Sequence, residues 1–223
     1  MATLSAISSH PFELDKVYDP AAYDTLPSLR QAHSLMTKDA ITKLQGPIRK
    51  VFLDHKVQSH YGICLLHNHF QIANSQRLVE HGLVSLPWDL GDEDKNTVPK
   101  FDGIIAPRSI RLLDGKLAPF EFTFSLTEPK LNIGFLTEAL RVIQDLGLHN
   151  VLGIRYFDKH DTQFSVEITQ GNANVMVPRG ALLDSQLIDA FWVFNKDEND
   201  RCHCREQCFP QKGADHQQNH SCG

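Results

Sequence analysis

Apolar residues along the chain fall into short blocks, and their spacing changes from helical to strand-like near Tyr61. After Pro27, the residues Leu29, Met36, Ala40 and Leu44 recur at helical spacing, with Asp24 or Thr25 as a cap. Gly46-Pro47 is expected to end that helix, and Ile48, Val51, Phe52 and His55 mark the stripe of a second one. The run Tyr61 to Phe70 is apolar and bounded by turn residues, which predicts a buried strand with Arg77 to Val84 returning as its hairpin partner. Asp114-Gly115 tolerates the left-handed backbone of a tight turn, so Ile104 to Leu113 and Lys116 to Ser125 are predicted to form a hairpin.

Further on, Phe135, Ala139, Val142, Ile143 and Leu146 line one face of a helix predicted from Asn132 to Leu146, with Gly147 as its stop. Val151 to Phe157, Phe164 to Thr169 and Asn174 to Val177 predict strands, with a turn at Gly171-Asn172. Leu187 to Phe194 is read as a strand because Phe191, Trp192, Val193 and Phe194 favour a pleated surface. Strands grouped in hairpins, with helices before and between them, predict an α+β fold: a single domain with a mostly antiparallel sheet and flanking helices. That domain is expected over residues 25–195, after a surface arm over 1–24 and before a small Cys/His-rich C-terminal tail over 196–223.

Composition narrows the classes. The chain has 223 residues, 41% of them hydrophobic and 22% charged, which suits one globular domain with a real core and excludes a wholly disordered polymer. A net charge of −5 and the lack of a dense Lys/Arg run argue against a nucleic-acid partner held by phosphate neutralisation. No run of about 20 apolar residues is present to span a membrane. Glu13, Asp15 and Lys16 interrupt the N-terminus where a signal peptide needs an apolar stretch, so an intracellular, cytoplasmic location with reduced thiols is expected. No Gly-rich phosphate loop or dinucleotide fingerprint makes a case for a nucleotide cofactor.

Four of the five cysteines lie in the tail together with histidines: Cys202, Cys204, Cys208, His216, His220 and Cys222 are six candidate metal ligands. Cys204, Cys208, His216 and His220 form one reasonable tetrahedral zinc set, in which Cys202 and Cys222 could replace members. Four protein ligands would make such a zinc structural, and a tail with little to bury would owe its order to the metal. The alternative is a disordered tail with incidental cysteines.

His67 and His69 stand two apart in the predicted strand and so share a face, where a carboxylate could complete a metal site. Glu80, on the expected hairpin partner, and Glu121, in a strand otherwise lined by Phe120, Phe122 and Phe124, are the candidate carboxylates. The bland alternative is a pair of hydrogen-bonded sheet histidines with Glu121 paired to Arg108 or Arg111. Gly62-x4-His67-x-His69 resembles a cupin metal strand, but Ile72, Ala73 and Asn74 stand where the cupin glutamate belongs, so no cupin function follows. The segment Leu65-Leu66-His67-Asn68-His69-Phe70, the Arg108-Ser-Ile-Arg111 strand and the cysteine-rich end resemble a group of uncharacterised fungal proteins, which implies no activity.

Two functions are therefore expected in competition. One is an intracellular binding or scaffold-like module with a structural zinc tail that contacts a protein partner. The other is a metal-dependent enzyme acting on a small molecule, with His67, His69 and Glu121 or Glu80 as catalytic residues.

Overall fold

Ten strands among the described residues find partners on both sides, and the last in the ring pairs back to the first, so the sheet closes. A computed structural model describes residues 18–89, 104–126, 129–157, 165–180, 182, 186–194 and 202–210. The strands are β1 (Tyr61–Leu65), β2 (Gln76–His81), β3 (Val84–Asp89), β4 (Ile104–Leu113), β5 (Lys116–Ser125), β6 (Leu152–Tyr156), β7 (Ser165–Gln170), β8 (Ala173–Pro178), β9 (Ile188–Val193) and β10 (His203–Cys208). Their order around the barrel is β1-β6-β4-β5-β2-β3-β8-β7-β10-β9. The pairs β2–β5 and β10–β7 are parallel and the rest antiparallel.

This corrects the expected α+β fold with flanking helices and a mostly antiparallel sheet: the architecture is a closed, mixed β-barrel with short helices. The physical reason is long-range pairing. β1 bonds to β6 and β9, not to the nearby β2, and β2 instead pairs with β3 and β5. The stretch set apart as a tail supplies β10, which fills the gap between β7 and β9.

The helices are α1 (Ala21–Asp24), α2 (Leu29–Ser34), α3 (Lys38–Lys43), α4 (Arg49–Asp54) and α5 (Ile133–Asp145). Ser28, not Thr25 or Asp24, caps α2, in a reciprocal box with Gln31. Gly46-Pro47 does not break the chain's helical course; a π turn over Leu44–Ile48 absorbs it and joins α3 to α4. The Asp114-Gly115 hairpin forms as expected, with φ of 49° and 75° at the two turn residues. In α5, Asn132 caps the start and Gly147, at φ 75°, ends the helix.

Two apolar clusters follow from the strand alternation. Ile63, Leu65, Leu152, Ile154, Ala190 and Trp192 present one face of β1, β6 and β9 to Phe52 of α4 and Phe135 of α5. Cys64, Leu66, Phe191 and Val193 lie on the other face with Phe120 and Phe157, capped by Ala22 and Tyr23 of α1. Part of the segment expected as a surface arm is therefore buried. No helix among the described residues is long and apolar enough to cross a membrane.

Candidate metal centre

β1 ends at Leu65, and the chain after it is steered inward by backbone bonds from Leu66 N to Val151 O and from Asn68 N to Pro27 O. That turn brings His67 and His69 beside Glu167 of β7 and Cys208 of β10. One donor atom from each of the four lies within 4.8 Å of every other. His67 Nε2 and His69 Nε2 are 2.9 Å apart, and His69 Nε2 is 2.6 Å from Glu167 Oε1. The Cys208 sulfur lies 3.6 Å from both His67 Nε2 and Glu167 Oε1. A tetrahedral ion with bonds of about 2.0–2.3 Å holds its donors about 3.3–3.8 Å apart. Both sulfur separations fall in that range, and the two shorter ones need to open by less than about 1 Å.

Hydrogen bonds outside the cluster orient both rings. A carbonyl oxygen can only accept, so His67 Nδ1–H donates to Leu65 O at 2.8 Å. Thr169 Oγ1 donates its single proton to Asn174 Oδ1 at 3.0 Å and so accepts from His69 Nδ1–H at 2.9 Å. Both outer nitrogens are donors, which turns both Nε2 atoms towards the other two groups. Outer hydrogen bonds of this kind commonly fix the orientation and tautomer of metal-binding imidazoles.

The charges fit a divalent ion. Burial, aided by neighbouring His69, lowers the His67 pKa to about 4, which leaves a bare lone pair on Nε2. Burial opposes charge on His69 as well, but the Glu167 carboxylate overrides it and raises the pKa. Burial alone would raise Glu167; the His69 charge instead pulls it down to about 2. The buried Cys208 thiol is pushed well above its ordinary value by burial and by Glu167. The protonated set thus sums to zero charge, His69 positive and Glu167 negative. A divalent ion that displaces the His69 and Cys208 protons leaves the sum at zero, so an interior that penalises net charge accepts the exchange.

Next to this cluster the barrel interior carries a second set of polar side chains, paired arginines and carboxylates. Arg155 of β6 donates to Glu206 of β10 at 2.7 Å, Glu121 of β5 at 3.0 Å and Ser109 of β4 at 3.2 Å. β6 and β10 are not neighbours in the sheet, so the Arg155–Glu206 pair spans the inside of the barrel. Burial disfavours the charge on Arg155, yet Glu206 and Glu121 hold its pKa well above the ordinary value. Arg155 and Arg108 outweigh burial at Glu121 and keep its carboxyl below the usual range. Glu80 of β2 pairs with Arg108, which offsets burial only in part, and its pKa is pushed up to about 7.

The two carboxylates singled out from sequence, Glu121 and Glu80, therefore sit in arginine pairs, and a carboxylate not singled out, Glu167, joins His67 and His69. Arg155, not Arg108 or Arg111, directly bonds Glu121. Of the tail residues, Cys208 turns inward to the histidines, whereas Cys202 and Cys204 are half-buried against the helix-side cluster. Burial pushes the Cys202 thiol to about 12, and Cys204 Sγ donates to Glu206 O at 3.0 Å. His216, His220 and Cys222 lie outside the described residues. Glu167 was missed because one strand gives no sign of its partner. The available signal was a carboxylate between Val166 and Ile168, the same pattern that drew attention to Glu121.

No family model, curated protein or solved structure matches the chain.

Proposed function

We propose that this chain is a metal-binding barrel protein that holds one divalent transition ion, zinc in the first instance, through His67, His69, Glu167 and Cys208. The observation that carries the reading is the convergence of four donor atoms on one point from three separate stretches of chain. A thiolate with two imidazoles and one carboxylate suits zinc and disfavours calcium or magnesium, which take oxygen ligands. Four protein donors complete a tetrahedron, so the ion's role is structural: it ties the turn after β1 to β7 and β10.

Elemental analysis and native mass spectrometry of the reduced full chain test this. One zinc per chain is expected, lost in a His67→Ala/His69→Ala variant and kept in a His216→Ala/His220→Ala variant. The opposite pattern would return the metal to the C-terminal residues.

A second reading, a metal-dependent enzyme acting on a small molecule, draws on the buried Glu121–Arg155–Glu206 set beside the cluster. It requires an open coordination position. The visible spectrum of a cobalt-substituted protein separates the two: a closed site ignores added azide, and an open one shifts its bands.

A further inference from the structure

We infer that the metal ion is the clasp that holds β10 in the barrel, so that metal supply controls whether the barrel is closed. This rests on the metal reading above and concerns what the ion regulates.

The strand is unusual in what it lacks. His203-Cys-Arg-Glu-Gln-Cys208 contains no aliphatic residue and no Phe, Tyr or Trp, whereas its neighbour β9 reads Ile-Asp-Ala-Phe-Trp-Val. Apolar burial, the main force that docks a strand, is therefore limited in β10 to its cysteines, Cys208 in the helix-side cluster and Cys204 packed against it. Its backbone pairing is also irregular. It pairs with β7 only over Glu206 to Cys208, and its register against β9 shifts twice, on either side of Glu206.

Two side chains of β10 reach the buried polar groups. Glu206 meets Arg155, and Cys208 meets His67 and Glu167. Further contacts are Gln207 to Asp189 at 2.7 Å and Arg205 over the Phe157 ring at 4.7 Å. Arg155 keeps Glu121 and Ser109 as partners if β10 departs, so the ion pair alone is a partial anchor. Coordination differs in kind, because Cys208 is the only metal ligand that β10 brings. An opening that withdraws Cys208 breaks a metal bond, and one that also releases the ion is suppressed by the factor 1 + [L]/Kd, about 100-fold at 100 Kd.

Hydrogen exchange read by mass spectrometry on the full chain, with free zinc set by a nitrilotriacetate buffer, tests the clasp. Protection of the peptide spanning 203–208 is expected to rise about tenfold for each tenfold rise in free zinc above Kd, while the β4–β5 hairpin stays unchanged. A Cys208→Ser variant is expected to bind zinc more weakly through the remaining three ligands and to lose the response of β10. Zinc binding with no change at β10, or with equal gains at β10 and β4–β5, would overturn the clasp and leave the metal reading standing. No zinc binding by the wild-type chain would overturn both.

Discussion

The Cys208 thiol and His67 Nε2 face each other at 3.6 Å across 141 positions of sequence. Each group has another hydrogen-bond partner: His67 Nδ1–H donates to Leu65 O, and the Cys208 thiol donates to Glu167 Oε1 at 3.6 Å. Their approach makes sense as two donors converging on a third body. A ring positioned from outside should depend on its outer partner, and this can be tested at His69. Thr169→Val removes the hydroxyl that receives His69 Nδ1–H and nearly conserves shape. Zinc affinity measured by competition with a chelating dye should fall about 10–100-fold, with one zinc still bound at saturation.

The metal-free barrel should be least stable at the two ends of the pH scale, for separable reasons. His67 has a folded pKa of about 4, below its unfolded value of about 6.5. Its contribution is present above pH ~6.5 and is lost as pH falls towards 4, and it amounts to roughly 3 kcal/mol. Glu167, depressed to about 2, adds a loss at still lower pH. His69 is raised, so its contribution is complete below pH ~6.5 and disappears as pH climbs through the folded value. Urea midpoints in a chelator should therefore fall from pH 6.5 to 4, and His67→Gln should flatten that limb.

Zinc should enter by exchange with protons. The thiol of Cys208 and the ring of His69 each hold one in the protonated set, so binding should release between one and two protons near neutrality, and affinity should increase with pH. Calorimetric titration in buffers of different ionisation enthalpy counts them. Release of none would mean that neither Cys208 nor His69 gives up a proton to the ion, against the proposed ligand set.

How much of this was legible in the chain depends on sequence distance. The β4–β5 hairpin and α5 announce themselves because Asp114-Gly115 and the Asn132 and Gly147 caps act within a few residues. Closure was hidden, because Tyr61–Leu65 finds its partners in Leu152–Tyr156 and in Phe191 and Trp192, far along the chain. The two candidate metal-ligand patterns, the histidine pair and the cysteine run, were each visible, but nothing local says that Cys208 leaves its neighbours to meet His67. A strand as polar as β10 reads as a tail because its inward Glu206 is satisfied by Arg155 and not by apolar burial.

The Arg155 network should behave as a unit. Arg155→Met leaves Glu121 and Glu206 buried without their cation and should cost about 3–5 kcal/mol in urea unfolding. Adding Glu121→Leu and Glu206→Leu removes the stranded charges and should recover most of that loss. Full recovery would show the three groups to be dispensable for stability, which would direct attention to a role in binding.

Barrel closure can be stressed at a single atom. Gly62 sits where β1 runs beside β9, and a Cβ added there would lie 2.5 Å from the Trp192 carbonyl oxygen and 2.6 Å from the Phe191 ring. The ring could turn aside, but the carbonyl belongs to the backbone of β9 and moves only if the strand does. Gly62→Ala should therefore destabilise by about 3 kcal/mol, at the upper end of overpacking effects. Gly46→Ala, whose Cβ would meet nothing within 4 Å, is the matched control and should leave the thermal midpoint nearly unchanged. A shift at Gly62 no larger than at Gly46 would mean that β1 and β9 are not packed edge to edge, and the ring of strands would have to be redrawn at that seam.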